Sequence, residues 1–426
     1  MRGRSIHAAQ EPLKASVRAV SSKSVTHRVL VVAALASGRS AILDPLDSED
    51  TRVTLNGLVS LGIDVRSSPG RWEIRGSGGR VPGGGEISLG ESGTSLRFLT
   101  ALGSLGKAPS RLDGRGRLRC RPIRGLIDAL TSIGARIRES SADASLPLEV
   151  GGSVPVGGRV SVSGERSSQF ASAMLLVAAR LEGGLDLRID PPAVSLPYVK
   201  LTADVLHEFG VQVSSPGPLS WRVRPGEYRG REYRVEGDHS AASYFLAAPA
   251  IVGGSVRVDG LDPDSAQPDA RLSRILQRVG CRVERGRGWI RVNGEGRIGP
   301  FDLELADCPD LVPTLSVLAL FAAGPCVMRG VAHLRWKESD RIEALVKNLT
   351  AFGARVAVSG DAIRITPPSG KRPGEVLVET SSDHRIAMAF AVAGLRLPGV
   401  TLDDAECVSK SNPTFWRDFL RLQGKT

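Results

Sequence analysis

Aromatic side chains make up only 4% of the 426 residues, too few to build stacking platforms for bases. Nor is there a basic tail, an aromatic RNA-binding signature or a zinc finger. The formal charge is nevertheless +11, with its positive residues spread along the chain. Such a balance fits nucleic acid and equally a small phosphorylated substrate, and the missing features count against the first. Cysteine is sparse and odd in number. The five, Cys120, Cys281, Cys308, Cys326 and Cys407, show neither CxxC spacing nor a disulfide framework, and read as thiols of a reduced, cytoplasmic protein with no metal site. No run of 18 or more apolar residues occurs, so no membrane span is predicted. The basic start MRGRSIHAAQEPLKA lacks the apolar stretch of a signal peptide. The glycine-rich RGSGGRVPGGGE at 75–86 lacks the GK[ST] ending of a phosphate loop and reads as a plain loop. A GxSxG nucleophile elbow is also missing, which removes a serine-hydrolase reading. The length suits two or three globular domains.

What is present is a repeat. The phrases LVSLGIDV, ALTSIGARI, VLHEFGVQV, ILQRVGCRV and NLTAFGARV centre on glycines 62, 134, 210, 280 and 353, spaced 72, 76, 70 and 73 residues apart. Each reads as the end of an amphipathic helix, a glycine just past it, then an alternating strand. A second phrase, a polar patch running into a small-residue apolar helix and a Gly turn, recurs six times, at 21–38, 91–106, 165–183, 237–254, 307–324 and 381–394. Six units of about 70 residues follow. The apolar helix is apolar nearly all round, so it should be buried among others. Two α/β domains of three units each, with a seam near residue 236, are the economical arrangement, and the cleft between them is the expected site.

The polar patches sit at helix N-termini, where unpaired N–H groups and the dipole attract anions. They carry Lys23, Ser24 and Arg28; Thr94 and Arg97; Arg166, Ser167, Ser168 and Gln169; His384 and Arg385. Capping alone explains the hydroxyls. It does not explain the accompanying cations, which a helix N-terminus disfavours unless an anion is bound. Carboxylates occur as well: Asp310 in DCPDLVPTL, for which an N-cap is the lesser alternative, and Glu338 in HLRWKESDRIEALV (333–346). The latter stretch divides in two. Asp340 and Glu343 have capping-box spacing, and Ile342, Leu345, Val346 and Leu349 trace an apolar face. Lys337, Glu338 and Arg341 form the helix entry and are candidates for chemistry.

The phrases SKSVTHR (22–28), GESGTSLRF (90–98), CRPI (120–123), GERSSQF (164–170), SLPYV (195–199), PDLVPTL (309–315), KESDR (337–341), DHRIAMAF (383–390) and VSKSNPTFW (408–416) together resemble the 5-enolpyruvylshikimate-3-phosphate (EPSP) synthase family over essentially the whole chain. The resemblance implies the two-domain enolpyruvyl transferase fold, six βαβαββ repeats in an inverse α/β-barrel-like arrangement. One lobe would hold 18–236 and the other, discontinuous, 1–17 plus 237–426. It implies transfer of the enolpyruvyl group of phosphoenolpyruvate to the 5-hydroxyl of shikimate 3-phosphate in aromatic amino-acid biosynthesis, with no metal or cofactor, by a monomer.

Carried over by motif, shikimate 3-phosphate would meet Lys23, Ser24, Arg28, Ser167, Ser168, Gln169, Ser195 and Tyr198, with Asp310, His333 and Lys337. Phosphoenolpyruvate would meet Lys23, Gly93, Thr94, Arg121, Gln169, Arg341, His384, Arg385 and Lys410. Asp310 corresponds to the base on the 5-hydroxyl and Glu338 to the group that protonates the methylene carbon. Lys23 and His384 would assist the leaving phosphate. Some positions depart from the family's frequent pattern: Glu91 and His333 replace Asn, and Phe98 replaces Pro. Gly93 is retained, which in the family leaves room for the inhibitor glyphosate. The related transferase acting on UDP-N-acetylglucosamine commonly has a reactive cysteine that would fall near Gly116. Cys120 misses that spacing and reads as a buried thiol. A non-catalytic anion-binding scaffold would keep the cations but has no need of Asp310 and Glu338.

Overall fold

A computed structural model describes residues 3–140, 146–370 and 374–424. The chain divides into two compact units, Ser21–Val235 and a discontinuous one of Met1–Val20 with Glu236–Thr426. Among the described residues the helices number twelve and the sheets six.

The Ser21–Val235 unit holds α1 (Lys23–Leu35), α2 (Glu49–Ser60), α3 (Gly93–Gly103), α4 (Arg124–Ser132), α5 (Gln169–Ala178) and α6 (Pro197–Glu208). The odd-numbered helices are apolar on every face because they are buried on every face. Val25 through Leu35 of α1 and Phe170 through Ala178 of α5 are all buried. These three helices pack on one another, and each fully buried Leu or Val contributes about 1.5–3 kcal/mol. The even-numbered helices bury one stripe, as α4 does with Leu126, Ile127, Ala129 and Leu130. Three four-stranded sheets flank them, each with one parallel pair followed by antiparallel ones. In one of these sheets Gly158–Ser163 runs parallel to Leu185–Asp190, with Val160 beside Leu187.

The second unit repeats the plan with α7 (His239–Val252), α8 (Leu272–Arg278), α9 (Val312–Ala319), α10 (Arg341–Ala351), α11 (His384–Gly394) and α12 (Phe415–Leu422). Here α7, α9 and α11 are the buried, mutually packed helices. Chain order is broken by the N-terminal segment. Its strand Leu13–Arg18 runs parallel to Gly254–Asp259, and Arg4–Ile6 pairs with Val400–Leu402. In the first unit the last strand, Glu232–Arg234, lies parallel to Arg39–Leu43.

The periodic glycines end helices. Gly62, Gly134, Gly210, Gly280 and Gly353 follow α2, α4, α6, α8 and α10 with φ of +84°, +97°, +87°, +110° and +85°. That left-handed turn reverses the chain from helix to strand without a Cβ penalty. The stretch 76–85 is irregular, as read from sequence. No helix among the described residues is long and apolar enough to cross a membrane.

Candidate active site

The expected polar helix ends are formed in both units. In the first, Ser22, not Ser24, caps α1, its Oγ accepting from Val25 N at 3.4 Å. This leaves Lys23 at the first helical position, where its Nζ meets Asp50 Oδ2 at 3.0 Å with both side chains largely shielded. Arg28 is buried and its guanidinium turns into the protein. It donates to Thr202 Oγ1 at 2.8 Å, to the carbonyls of Ser24 and Tyr198 at 2.8 and 3.0 Å, and to Ser172 Oγ at 3.3 Å. Burial lowers its pKa to about 10. Ser195 lies just upstream of α6, buried and in the left-handed region with φ +57°, and its carbonyl accepts from Tyr198 N.

The N-termini of α3 and α5 are clamped together. Gln169 Nε2 donates to Thr94 Oγ1 at 3.1 Å, and its Oε1 accepts from Arg97 Nη1 at the same distance. Arg97 also donates to the Gly93 carbonyl at 3.0 Å and the Pro122 carbonyl at 2.5 Å. The Arg121 guanidinium lies directly over Gly93: a Cβ there would sit 2.4 Å from Arg121 Nη1 and 2.6 Å from Arg97 Nη1. Ser167 Oγ accepts from Gln169 N at 3.2 Å, and Ser168 is buried beside it. Backbone N–H groups, hydroxyls and guanidinium together suit phosphate and carboxylate.

Behind these groups runs an uncharged chain. His27 Nδ1 lies 2.7 Å from Thr54 Oγ1, which lies 2.8 Å from Ser95 Oγ, which donates to Ser92 Oγ at 2.8 Å. It ties α1 and α2 to the cap of α3. Burial pushes the pKa of His27 down to about 3, so the ring is neutral.

In the second unit the centre is Arg341, the first residue of α10 and 1% exposed. Its Nε donates to Asp383 Oδ2 at 2.8 Å, Nη1 to Asp310 Oδ1 at 3.0 Å and Nη2 to Glu338 Oε2 at 2.7 Å. The other oxygen of Asp310 accepts from Arg385 Nη2 at 2.7 Å. Arg385 Nη1 in turn reaches the Tyr244 hydroxyl at 3.5 Å. Burial alone would raise the pKa of Asp310, but Arg385 and Arg341 outweigh it and hold the carboxyl below its ordinary value. Asp310 is therefore not an N-cap: it lies within the 3-10 turn Pro309–Leu311 that precedes α9, and its carboxylate is spent on the two arginines. Pro313 sits in the first turn of α9. Asp383 caps α11 through the Arg385 N–H at 2.9 Å and accepts from Ser339 Oγ at 3.0 Å. His384 is fully buried, with Nδ1 3.8 Å from Asp383 Oδ1. His333 is buried, and burial, reinforced by the Lys337 charge, lowers its pKa to about 3. Lys337 is half-buried, and Lys410 is buried at the end of the 3-10 turn Glu406–Lys410.

The motif residues thus gather as Gly93, Thr94, Arg121 and Gln169 in one unit, and as Asp310, Glu338, Arg341 and Arg385 in the other. Sequence reading missed Asp50 and Asp383 as site carboxylates. Asp383 carried a signal, an Asp directly before a buried helix. Asp50 carried none, since its partner lies 27 residues away. Cys120 corrects an expectation: it is exposed, because the 3-10 turn Gly116–Cys120 buries only Leu118. No group of three or more His, Cys, Asp or Glu among the described residues could hold a metal ion.

Comparison with known proteins supplies independent findings. A family model described as EPSP synthase (3-phosphoshikimate 1-carboxyvinyltransferase) matches residues 7–419. A 3-phosphoshikimate 1-carboxyvinyltransferase of Syntrophobacter fumaroxidans is 42% identical over 413 residues, covering 96% of this chain and 97% of the relative. One from Methanoculleus marisnigri is 40% identical over 408 residues, covering 95% and 96%. Among solved structures, an EPSP synthase from Acinetobacter baumannii aligns with a TM-score of 0.82 at 27% identity, covering 99% of this chain and 98% of that one.

Proposed function

We propose, from the premise that the chain belongs to the EPSP synthase family of enolpyruvyl-transferring enzymes, that it moves the enolpyruvyl group of phosphoenolpyruvate to the 5-hydroxyl of shikimate 3-phosphate. The observation that carries this reading is the Arg341 cluster, in which one buried guanidinium gathers Asp310 and Glu338, a base and an acid, beside a second arginine.

In the first step Asp310 takes the proton of the 5-hydroxyl, the oxygen bonds to C2 of the enol, and Glu338 delivers a proton to the methylene carbon. In the second, the Glu338 carboxylate takes a proton back from the new methyl group as the C2–O bond to phosphate breaks, releasing inorganic phosphate. Arg341 commits four of its five N–H groups to Asp383, Asp310 and Glu338. A substrate carboxylate competing for it would loosen Glu338 for proton transfer. Arg385, Lys410, Lys337 and His333 complete this set, and His384 with Lys23 assists the departing phosphate. Ser167, Ser168, Gln169, Ser195, Tyr198, Ser24 and Arg28 hold shikimate 3-phosphate, while Arg121 and the backbone of Gly93 and Thr94 hold the phosphate of phosphoenolpyruvate. Fixed cations aimed at developing negative charge supply the largest stabilisation expected in such a site.

Phosphate release measured with both substrates is the test. Turnover with shikimate 3-phosphate is expected. Turnover with UDP-N-acetylglucosamine in its place, or binding of shikimate 3-phosphate with no phosphate released, would overturn the reading.

A further inference from the structure

Asp269 takes no part in the steps above, yet it is one of the most enclosed carboxyls in the protein. It lies in the 3-10 turn Pro268–Arg271 and is 1% exposed. One oxygen accepts from Ser240 Oγ near the start of α7, while Oδ1 is buried with no hydrogen-bond partner. No cation among the described residues is bonded to it. The charged groups near enough to act on it are Asp310 ahead of α9, Arg385 at the start of α11 and Asp238 at the cap of α7, and α9 and α11 both pack against α7. The Cys308 thiol faces it too, itself next to Arg271 and Asp307. Arg385 already gives Nη2 to Asp310 at 2.7 Å.

Two carboxyls in one enclosed pocket cannot both hold a charge cheaply, and the proton goes to the one with fewer donors. Asp310 has two guanidinium groups, at 3.0 and 2.7 Å. Asp269 has one hydroxyl.

We propose that Asp269 is a positioning residue whose protonated form keeps Arg385 aligned on Asp310, and that its ionisation draws Arg385 away and weakens capture of phosphoenolpyruvate. Burial, with the charge of Asp310 adding to it, pushes Asp269 up to about 7, which sets where the change falls. This rests on the reading that Asp310 and Arg385 serve the transfer reaction.

The informative variant is Asp269→Asn, which keeps the shape of the neutral acid and cannot ionise. In pH profiles of phosphate release, kcat/KM for phosphoenolpyruvate should fall on the alkaline side of neutrality in the wild type, by about tenfold per pH unit. The Asn variant should match the wild type at pH 6 and lack that limb. Ser240→Ala, which removes the bond that favours the ionised form, should move the limb to higher pH. A readout that needs no turnover is thermal unfolding of the unliganded protein. A raised carboxyl pKa means the folded state binds the extra proton, so the contribution of Asp269 to stability falls as pH rises from about 4 to about 7. The Tm of Asp269→Asn minus that of the wild type should therefore grow across that window and stay level above it. An alkaline limb unchanged in Asp269→Asn and unmoved in Ser240→Ala, or a Tm difference independent of pH, would overturn the proposal. If the wild type released no phosphate, the functional reading would fail, and the Tm difference would still decide the protonation of Asp269.

Discussion

Arg341 and Asp383 form an enclosed ion pair, Nε to Oδ2 at 2.8 Å, between side chains 1% and 0% exposed. Asp383 performs two tasks with one carboxylate, because it also caps α11 at the Arg385 N–H. Removing Asp383 leaves Arg341 its bonds to Asp310 and Glu338 but takes the acceptor from its buried Nε–H, and breaking a buried pair costs up to about 3–5 kcal/mol. Asp383→Ala should lose that much stability in chemical denaturation and should also lower kcat. Full stability in the variant would show that water or another group replaces the carboxylate.

Glu338 is the group whose loss should separate chemistry from binding. A positioned general acid contributes about 10²- to 10⁴-fold. Glu338→Ala should lower kcat by that order while the Kd for shikimate 3-phosphate, read by calorimetry, stays near the wild-type value. A near-normal kcat would remove the proton-transfer role.

The contact between Gly93 and Arg121 makes a steric prediction. A methyl at Gly93 would stand 2.4 Å from Arg121 Nη1, so Gly93→Ala must displace the guanidinium. Misplacement of a positioning group by about 1 Å can cost on the order of a hundredfold. Steady-state kinetics should show a raised KM for phosphoenolpyruvate in Gly93→Ala and in Arg121→Ala. The double variant should cost less than the two single effects combined, because both act on one contact. Simple additivity would mean that they act separately.

His27 predicts acid sensitivity. Burial lowers its pKa to about 3, so the folded state excludes a proton that the unfolded chain takes up below about 6.5. Its contribution is complete above that value. It is lost as pH falls toward 3, by up to about 1.4 kcal/mol per pH unit. Urea denaturation between pH 7 and pH 4 should show a shallower decline for His27→Gln than for the wild type. Equal slopes would mean that the ring is protonated in the folded protein.

The amino-acid sequence by itself determined the repeating plan. A helix apolar on every face has to be buried, and a helix end followed by a strand within a few residues needs the left-handed turn that Gly62 or Gly353 supplies. Both constraints are local, so periodicity and residue type reveal them. Asp340 shows the same legibility: it caps α10 by accepting from Glu343 N at 3.1 Å, as the spacing of DRIE suggested. The motif resemblance added the reaction class, which composition and spacing alone left open. Only the tertiary structure decided who pairs with whom. Arg341 could have met any nearby carboxylate. Packing of α10 beside α9 and α11 brought it Asp310 and Asp383, 31 and 42 residues distant. Arg28 likewise found Thr202 and the Tyr198 carbonyl, 174 and 170 residues away, only through the packing of α1 against α6. Asp50 and Asp269 lay outside every motif considered. The partner of Asp50 and the protonation of Asp269 depend on groups that packing brings near and on burial, and those quantities come into being only when the chain is folded.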